Sequence, residues 1–163
     1  MQFVIEPLNS RHVRATFSCG VGPRDHYFRQ QAGQEQRRRA AAIFVAVDRL
    51  ADDAVAGFYT LSATAVQTTT LPEAVSRKLP RYPELPAILL GRLAVDRRWQ
   101  GRRLATRLVA DALQRCAPLD QIGALFMVVD AKKVALQPFY ERLGFHSFPD
   151  QPRRLFFVLA TLR

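Results

Sequence analysis

The chain of 163 residues is 48% hydrophobic and 23% charged, which is the balance of one globular domain with its own core. Its apolar runs are too short to cross a bilayer, no secretory signal opens it, and Cys19 and Cys116 lie too far apart for a metal motif. We therefore expect a single domain over residues 1–163 in the cytoplasm, with reduced thiols and no metal. A formal net charge of +10 favours a polyanionic partner such as a nucleic acid.

Apolar runs separated by turn residues predict a mixed chain of strands and helices. The first helix is expected from Arg24 through the arginine run that ends at Arg39, with Tyr27 and Phe28 facing inward. Gly57 allows a bulge or a close approach inside a strand, and Pro138 predicts a kink or a displaced helix start. Strands are predicted at residues 3–5, 42–47, 55–66, 88–95, 124–129 and 155–162, and further helices at residues 71–79, 102–116 and 133–143.

The segment from Ile88 to Cys116 organises the chain as a strand, a turn and a helix. A helix that follows a strand directly presents unpaired backbone N–H groups and a positive dipole end, which suits a phosphate. Gly101 lets the backbone approach a ligand closely because it has no Cβ. Arginines add positive charge there, at positions 97, 98, 102, 103 and 107. The segment predicts a phosphorylated cofactor, and the alternative is a connection that binds nothing.

Residues 98–103 read Arg-Trp-Gln-Gly-Arg-Arg, and residues 139–145 read Phe-Tyr-Glu-Arg-Leu-Gly-Phe. These two motifs resemble segments of the GNAT superfamily of acyl-CoA-dependent N-acetyltransferases. Residues 98–103 resemble its Q/R-x-x-G-x-G/A signature, except that Arg103 replaces the usual Gly or Ala. Residues 139–145 resemble the F-Y-x-x-x-G-F segment near the end of that fold. The pattern Phe17-x-Cys-Gly with Asp25 and an aromatic pair resembles one branch, the TacT-like toxins of bacterial toxin–antitoxin modules. That branch usually has Leu in place of Arg24 and often Trp in place of Tyr27.

The resemblance implies the GNAT fold, an α/β (α+β) architecture. Its sheet is mixed and mostly antiparallel, with a central, splayed parallel pair that admits the pantetheine arm and helices on both faces. It also implies acetyl-CoA as the acyl donor. The residues assigned to that cofactor are Leu93, Ala94, Val95, Arg98, Gln100, Gly101, Arg102, Arg103, Leu104, Ala105, Thr106, Asp130 and Phe139. For Phe139 simple packing is the alternative, and Lys133 stands about where the family carries Asn.

By resemblance, Tyr140 is the candidate general acid, because it lies in the segment where GNAT enzymes often carry a tyrosine near the cofactor sulfur. A phenol is protonated at neutral pH and can donate to a leaving thiolate. The alternative is a core tyrosine bonded to a backbone carbonyl. No general base stands out, and Asp130 alternatively caps the following helix. Carboxylates that qualify only by residue type are Glu6, Glu35, Glu73, Glu84, Asp96, Asp130 and Glu141. Two alternatives remain: water is the base, or no base is needed because the substrate amine has a low pKa, as the amine of an aminoacyl ester does.

By resemblance, the substrate is the α-amine of aminoacyl-tRNA, whose acetylation blocks translation. The implied partners are a ribbon-helix-helix antitoxin and a second copy of the chain in a homodimer. The basic residues assigned to RNA contact are Arg37, Arg38, Arg39, Arg77, Lys78, Arg81, Arg92 and Arg97. For each of them the alternative is a solvated surface charge. Two alternatives remain open: acetylation of a protein or small-molecule amine, and a basic RNA-binding module without catalysis.

Overall fold

The strands belong to one sheet in the computed structural model, which describes residues 1–119 and 121–162. They are β1 (Phe3–Pro7), β2 (Ala42–Asp48), β3 (Ala54–Gln67), β4 (Glu84–Val95), β5 (Phe126–Asp130), β6 (His146–Phe148) and β7 (Gln151–Val158). Their order in the sheet is β1-β2-β3-β4-β5-β7-β6. Strand β4 runs parallel to β5, whereas β1–β2, β2–β3, β5–β7 and β6–β7 are antiparallel. The predicted mixed, mostly antiparallel sheet is confirmed.

The helices are short apart from one that follows the central strand. They are α1 (Gly22–His26), α2 (Ala32–Arg37), α3 (Glu73–Ser76), α4 (Leu104–Cys116) and α5 (Gln137–Arg142). A π-helical turn, Tyr27–Gln31, joins α1 to α2 and makes the predicted first helix continuous. Within the described residues, none of the helices is long and apolar enough to cross a membrane.

The fold divides into two compact units, and unit one consists of Met1–Ser62 and Gly91–Ala112. Its core contains an aromatic cluster in which the Phe28 and Phe58 rings stack with centroids 4.3 Å apart, and Phe17 meets Phe28 edge-on at 4.8 Å. Tyr27 and Phe28 are both buried, so the predicted inward face of the first helix is confirmed. The expectation of one domain over residues 1–163 stays a prediction.

Gly57 shows both features that its place in a strand predicts. The register of β2 with β3 shifts between Ala46 and Val47, beside the pair Ala46–Gly57, which is a β-bulge. A Cβ at Gly57 would lie 3.0 Å from the carbonyl oxygen of Ala94 in β4. Glycine therefore permits the close contact between β3 and the end of β4.

Unit two consists of residues 63–90 together with the described part of 113–162. Its core includes Phe126 and Phe148, which each meet Phe156 edge-on at 5.6 and 5.1 Å. The parallel ladder pairs Ala87–Leu90 with Phe126–Val129, and β4 then continues beyond it to Val95.

Several predicted boundaries are wrong, each for a local reason. Helix α4 begins at Leu104 rather than at residue 102, because Arg103 has a left-handed backbone. Helix α3 is only four residues long because it lies between Pro72 and Pro80. The last strand, β7, is Gln151–Val158, so the strand predicted at residues 155–162 lies four residues too far toward the C-terminus. The displaced start predicted from Pro138 is confirmed, since α5 has a proline in its first turn.

Candidate active site

The turn between β4 and α4 has two residues with positive φ angles. Gly101 has φ of 79° and Arg103 has φ of 61°. Glycine adopts this conformation freely, whereas for arginine it costs about 1–3 kcal/mol. The position of Arg103 is the one where the GNAT signature has Gly or Ala, and the positive φ angle explains the occurrence of Gly there.

Asp96, at the start of the turn, is a buried hydrogen-bond acceptor that holds the turn in shape. Its carboxylate accepts from the Arg98 amide at 2.9 Å, from Arg98 Nε at 3.0 Å and from the Ser18 amide at 3.0 Å. Burial opposes its ionisation, but the bonds from Arg98 and Ser18 outweigh burial and hold the pKa of Asp96 below its usual value. Asp96 is therefore a structural anion rather than a general base.

The loop Phe17–Gly20 is fastened to this turn by further bonds. The Arg97 amide donates to the Ser18 carbonyl at 2.9 Å, and Gln100 Nε2 donates to the carbonyls of Cys19 and Val95, both at 2.9 Å. The Gln100 side-chain amide thus donates its hydrogen bonds within the protein. The contact with the cofactor predicted for Gln100 would therefore come from its backbone.

A second buried carboxylate fixes the same loop from the helix that follows it. Asp25 accepts from the Cys19 amide at 2.8 Å. Burial raises the pKa of Asp25, and hydrogen bonds from Cys19 and the nearby Arg29 charge lower it by more, so the net shift is downward. The pattern Phe-x-Cys-Gly with Asp25 pointed to a family branch in the sequence, and its role here is to brace the turn.

Trp99 anchors the turn to the end of β2. Its Nε1 donates to Asp48 Oδ2 at 2.9 Å, and this bond is the main reason why the pKa of Asp48 is lowered. The Trp99 side chain is buried, so it also packs into the core of unit one.

The end of β4 carries the predicted backbone contacts Leu93, Ala94 and Val95. Just before them, the Arg92 amide donates to the Thr60 hydroxyl at 3.0 Å, so a side chain takes part in the pairing of β3 with β4. Just after them, the Asp96 amide donates to the Ala56 carbonyl at 2.8 Å. These two bonds hold the end of β4 against β3 on either side of the predicted contacts.

Arg92 is stacked on an aromatic ring rather than freely solvated. Its guanidinium carbon lies 3.7 Å from the centre of the Tyr27 ring. The Tyr27 hydroxyl donates to Glu35 Oε1 at 2.9 Å. Burial, followed by the bond to Glu35 and its charge, raises the pKa of Tyr27 to about 12. Like the Asp96 carboxylate, the Glu35 carboxylate accepts a hydrogen bond that holds the fold together.

The other basic residues assigned to RNA contact lie in three different segments of the chain. Arg37, Arg38 and Arg39 are exposed where α2 ends. The exposed Arg97 side chain packs over Gly20, where a Cβ would lie 2.9 Å from its Nε. Arg77, Lys78 and Arg81 are exposed in unit two, just after α3.

Tyr140, Phe139 and Asp130 also lie in unit two. Tyr140 is buried in α5, with its ring centroid 5.0 Å from Phe139 and 5.6 Å from Phe145. Asp130 ends β5 and lies 3.9 Å from Arg154 Nε. The helical turn that follows begins after Lys133, its N-cap, so Asp130 does not cap it. In the described part of the chain, no cluster of three or more His, Cys, Asp or Glu is placed to hold a metal ion.

Comparisons with known proteins agree with this architecture. A family model described as an acetyltransferase (GNAT) domain matches residues 86–155. A protein named "Probable toxin TacT", from Sinorhizobium fredii, is 32% identical over 98% of this chain and 93% of its own length. The chain belongs to the GNAT acetyltransferase family.

Three further matches to this acetyltransferase are informative. A tRNA-acetylating toxin of Mycobacterium tuberculosis is 34% identical over 91% of this chain and 87% of its own. AtaT complexed with acetyl-methionyl-tRNAfMet matches with a TM-score of 0.90 and 25% identity, covering 99% of this chain and 97% of that one. AtaTR bound with AcCoA matches with a TM-score of 0.81 and 25% identity, covering 98% and 95%.

The turn of this GNAT acetyltransferase fits the diphosphate of its acyl donor, acetyl-CoA. A Cβ built on Gly101 would meet nothing within 4 Å, so there is space directly above the backbone. Helix α4 is 13 residues long, and its first amides face that end. Arg102, Arg103 and Arg107 are exposed around it and supply positive charge. The residues present therefore suit an anionic, phosphate-bearing group.

Proposed function

We propose that this chain transfers an acetyl group from acetyl-CoA to the free α-amine of aminoacyl-tRNA and so blocks translation. The observation that carries the proposal is the braced turn at the head of α4, with Gly101 and Arg103 in the left-handed conformation. The identity of 34% to a tRNA-acetylating toxin supports the substrate. The net charge of +10 suits a polyanion and argues against a small cationic amine.

In this proposal the chain holds and orients acetyl-CoA and donates one proton to the leaving group. When bound, acetyl-CoA supplies the acetyl group as a thioester. The backbone of residues 100–106 and the side chains of Arg98, Arg102 and Arg103 hold the phosphates. Backbone groups of Leu93 to Val95 orient the acyl arm, with Asp130 and Phe139 as further contacts taken from the family resemblance.

Tyr140 is the proposed general acid, and its hydroxyl gives a proton to the leaving sulfur. The proposal rests on its place in the segment that resembles F-Y-x-x-x-G-F. No side chain is assigned as general base, because the amine next to an ester is neutral at a lower pH than an ordinary amine. The proton released from the attacking nitrogen passes to water, and the Tyr140 phenolate regains a proton from water.

The same comparisons support proposals about partners. AtaT has been solved with its antitoxin, AtaR, in a structure that shares the fold of this chain. We infer an antitoxin of the ribbon-helix-helix class for this chain, a homodimer as its assembly and the cytoplasm as its location. Residues 1–163 are taken to act as one acetyltransferase domain.

A transfer assay tests the function directly. The purified chain is incubated with radiolabelled acetyl-CoA and either charged tRNA, the same tRNA without its amino acid, or spermidine. We expect label on charged tRNA only, released with the amino acid by mild base. Label on spermidine or on a protein in place of charged tRNA would contradict the proposal, as would no transfer at all when the chain binds acetyl-CoA.

A further inference from the structure

A groove in unit two combines an exposed aromatic ring with positive charge. Its lining includes Thr68, Thr69, Ser76, Arg77, Arg81 and Tyr82, and its volume is about 690 Å³. We call it the Tyr82 groove. That volume lies in the range of about 300–1,000 Å³ typical of sites that hold a small organic group.

The backbone of Tyr82 is held in place while its ring is left outside. The Thr68 hydroxyl donates to the Tyr82 carbonyl at 2.5 Å, and the Thr68 amide donates to the Pro83 carbonyl at 3.0 Å. Pro80 and Pro83 flank the segment and restrict its backbone. Yet the Tyr82 residue is 65% exposed, whereas Tyr27, Tyr59 and Tyr140 are buried. The fold thus presents this ring to solvent on a rigid support.

The charge around the ring is positive. Between residues 68 and 83 there are three basic side chains, Arg77, Lys78 and Arg81, and one acidic side chain, Glu73. The three cations are exposed, and none of the ion pairs found within residues 1–119 and 121–162 involves them. Guanidinium groups bind phosphates in a bidentate manner, and their exposure leaves them available to do so.

An exposed tyrosine with arginines beside it is the combination that binds single-stranded nucleic acid. The ring stacks on an unpaired base, and the cations follow the backbone phosphates. The hydroxyls of Thr69 and Ser76 add polar groups that suit a ribose. A base inside a duplex is already stacked and offers no free face, so the groove favours an unpaired end over a double helix.

We propose that the Tyr82 groove binds the unpaired 3′ end of the RNA substrate, with Tyr82 stacked on a base and Arg77 and Arg81 on phosphates. This proposal rests on the function proposed above, because it identifies where the chain grips the aminoacylated strand. It adds a residue, Tyr82, that the pattern of basic residues in the sequence does not indicate.

The test compares two labelled RNA hairpins, one blunt and one with a four-nucleotide unpaired 3′ end, by fluorescence anisotropy. The wild-type chain should prefer the hairpin with the unpaired end. Tyr82→Ala should raise the Kd for that hairpin about tenfold and leave the blunt one unchanged. Tyr82→Phe should keep the preference because it can still stack, whereas Tyr82→Leu should lose it.

Charge variants test the proposed phosphate contacts independently of the Tyr82 variants. Replacing Arg77 and Arg81 together with Gln should reduce the slope of log K against log salt by about 1.4, because each phosphate contact to a single strand contributes about 0.7. Arg11→Gln, at an exposed arginine of unit one, is the matched control and should leave the slope unchanged. Because the Tyr82 ring is exposed, the melting temperature of Tyr82→Ala should equal that of the wild type.

The outcomes separate this proposal from the proposed function. If charged tRNA is acetylated but Tyr82→Ala has no effect on RNA binding, the groove proposal is wrong and the function stands. If the preference depends on Tyr82 but no acetyl group reaches charged tRNA, the function is wrong and the RNA site stands. If Tyr82→Leu binds both hairpins like the wild type, the Tyr82 ring does not stack on the RNA and the groove proposal is wrong.

Discussion

The backbone amide of Ser18 donates to Asp96 Oδ2 over 3.0 Å, and the two residues are 78 positions apart in the chain. This bond joins the N-terminal loop to the turn at the head of α4. Since Arg98 donates to the same carboxylate, one buried anion sets the position of both segments. The shape of the proposed phosphate site therefore depends on an aspartate that need not touch the cofactor.

Replacing Asp96 with Asn should damage both stability and cofactor binding. The amide of Asn places an NH₂ group against donors that now face a carboxylate, so at least one charged hydrogen bond is lost. We expect the free energy of unfolding to fall by about 3 kcal/mol, with a weaker affinity for CoA measured by calorimetry. Asp52→Asn, at an exposed carboxylate of the same unit, should change neither.

The same carboxylate predicts how stability depends on pH. Because the folded-state pKa of Asp96 lies below its usual value, its contribution is present above about pH 4 and is lost as the pH falls through the folded pKa. Asp25 is shifted in the same direction. Thermal melting between pH 2 and 5 should therefore show a smaller loss of Tm on acidification for Asp96→Asn than for the wild type.

Arg103→Gly should stabilise the protein, because glycine removes the cost of a left-handed arginine. Greater freedom of the unfolded chain offsets part of this gain, so we expect a net increase of about 0.5–1 kcal/mol in the free energy of unfolding. Gly101→Ala should do the opposite, at a cost of about 1–2 kcal/mol, although a Cβ there meets no neighbour. Arg102→Gly is the control, because it removes one positive charge at a position where no left-handed backbone is relieved. It should lower the affinity for CoA as much as Arg103→Gly does, without stabilising the fold.

The strand, turn and helix of residues 88–116 were predictable because each element leaves a local signal. A branched apolar run indicates a strand, Gly101 indicates the turn, and Leu104, Leu108 and Val109 recur at helical spacing. The helix start was misplaced because an arginine side chain gives no sign of a positive φ angle. Strand β6 was missed because three residues are too few to show alternation.

The bracing of the turn could not be read from the sequence. Gln100 bonds to the Cys19 carbonyl across 81 positions, and Trp99 bonds to Asp48 across 51. Such contacts depend on tertiary packing, and no local pattern specifies them. For the same reason, Asp96 and Glu35 looked like possible bases by residue type, whereas the structure shows that each accepts internal hydrogen bonds.

Tyr27 should ionise only in strongly alkaline solution, since its pKa is raised to about 12. A folded pKa above the unfolded value means that its contribution to stability is present below about pH 10 and is lost as the pH rises towards 12. In absorbance at 295 nm, the difference between wild type and Tyr27→Phe should show one phenol that titrates near that value. Glu35→Gln should lower this pKa, because the Glu35 charge and hydrogen bond both raise it. An unchanged titration in Glu35→Gln would contradict the assigned cause.

Tyr140→Phe tests the proposed acid with the smallest possible change. Removing one hydroxyl should leave the binding of acetyl-CoA unchanged, because no cofactor contact is assigned to it, and should lower kcat by about 10²- to 10⁴-fold. The pH profile should change as well: an alkaline limb set by loss of the phenol proton in the wild type should disappear in the variant. Thr161→Val is the control, since it removes a hydroxyl from an exposed side chain in the same unit and should keep full kcat. If Tyr140→Phe instead raised KM alone, with kcat and the pH profile intact, the tyrosine would be a packing residue of α5, and the leaving sulfur would take its proton from water.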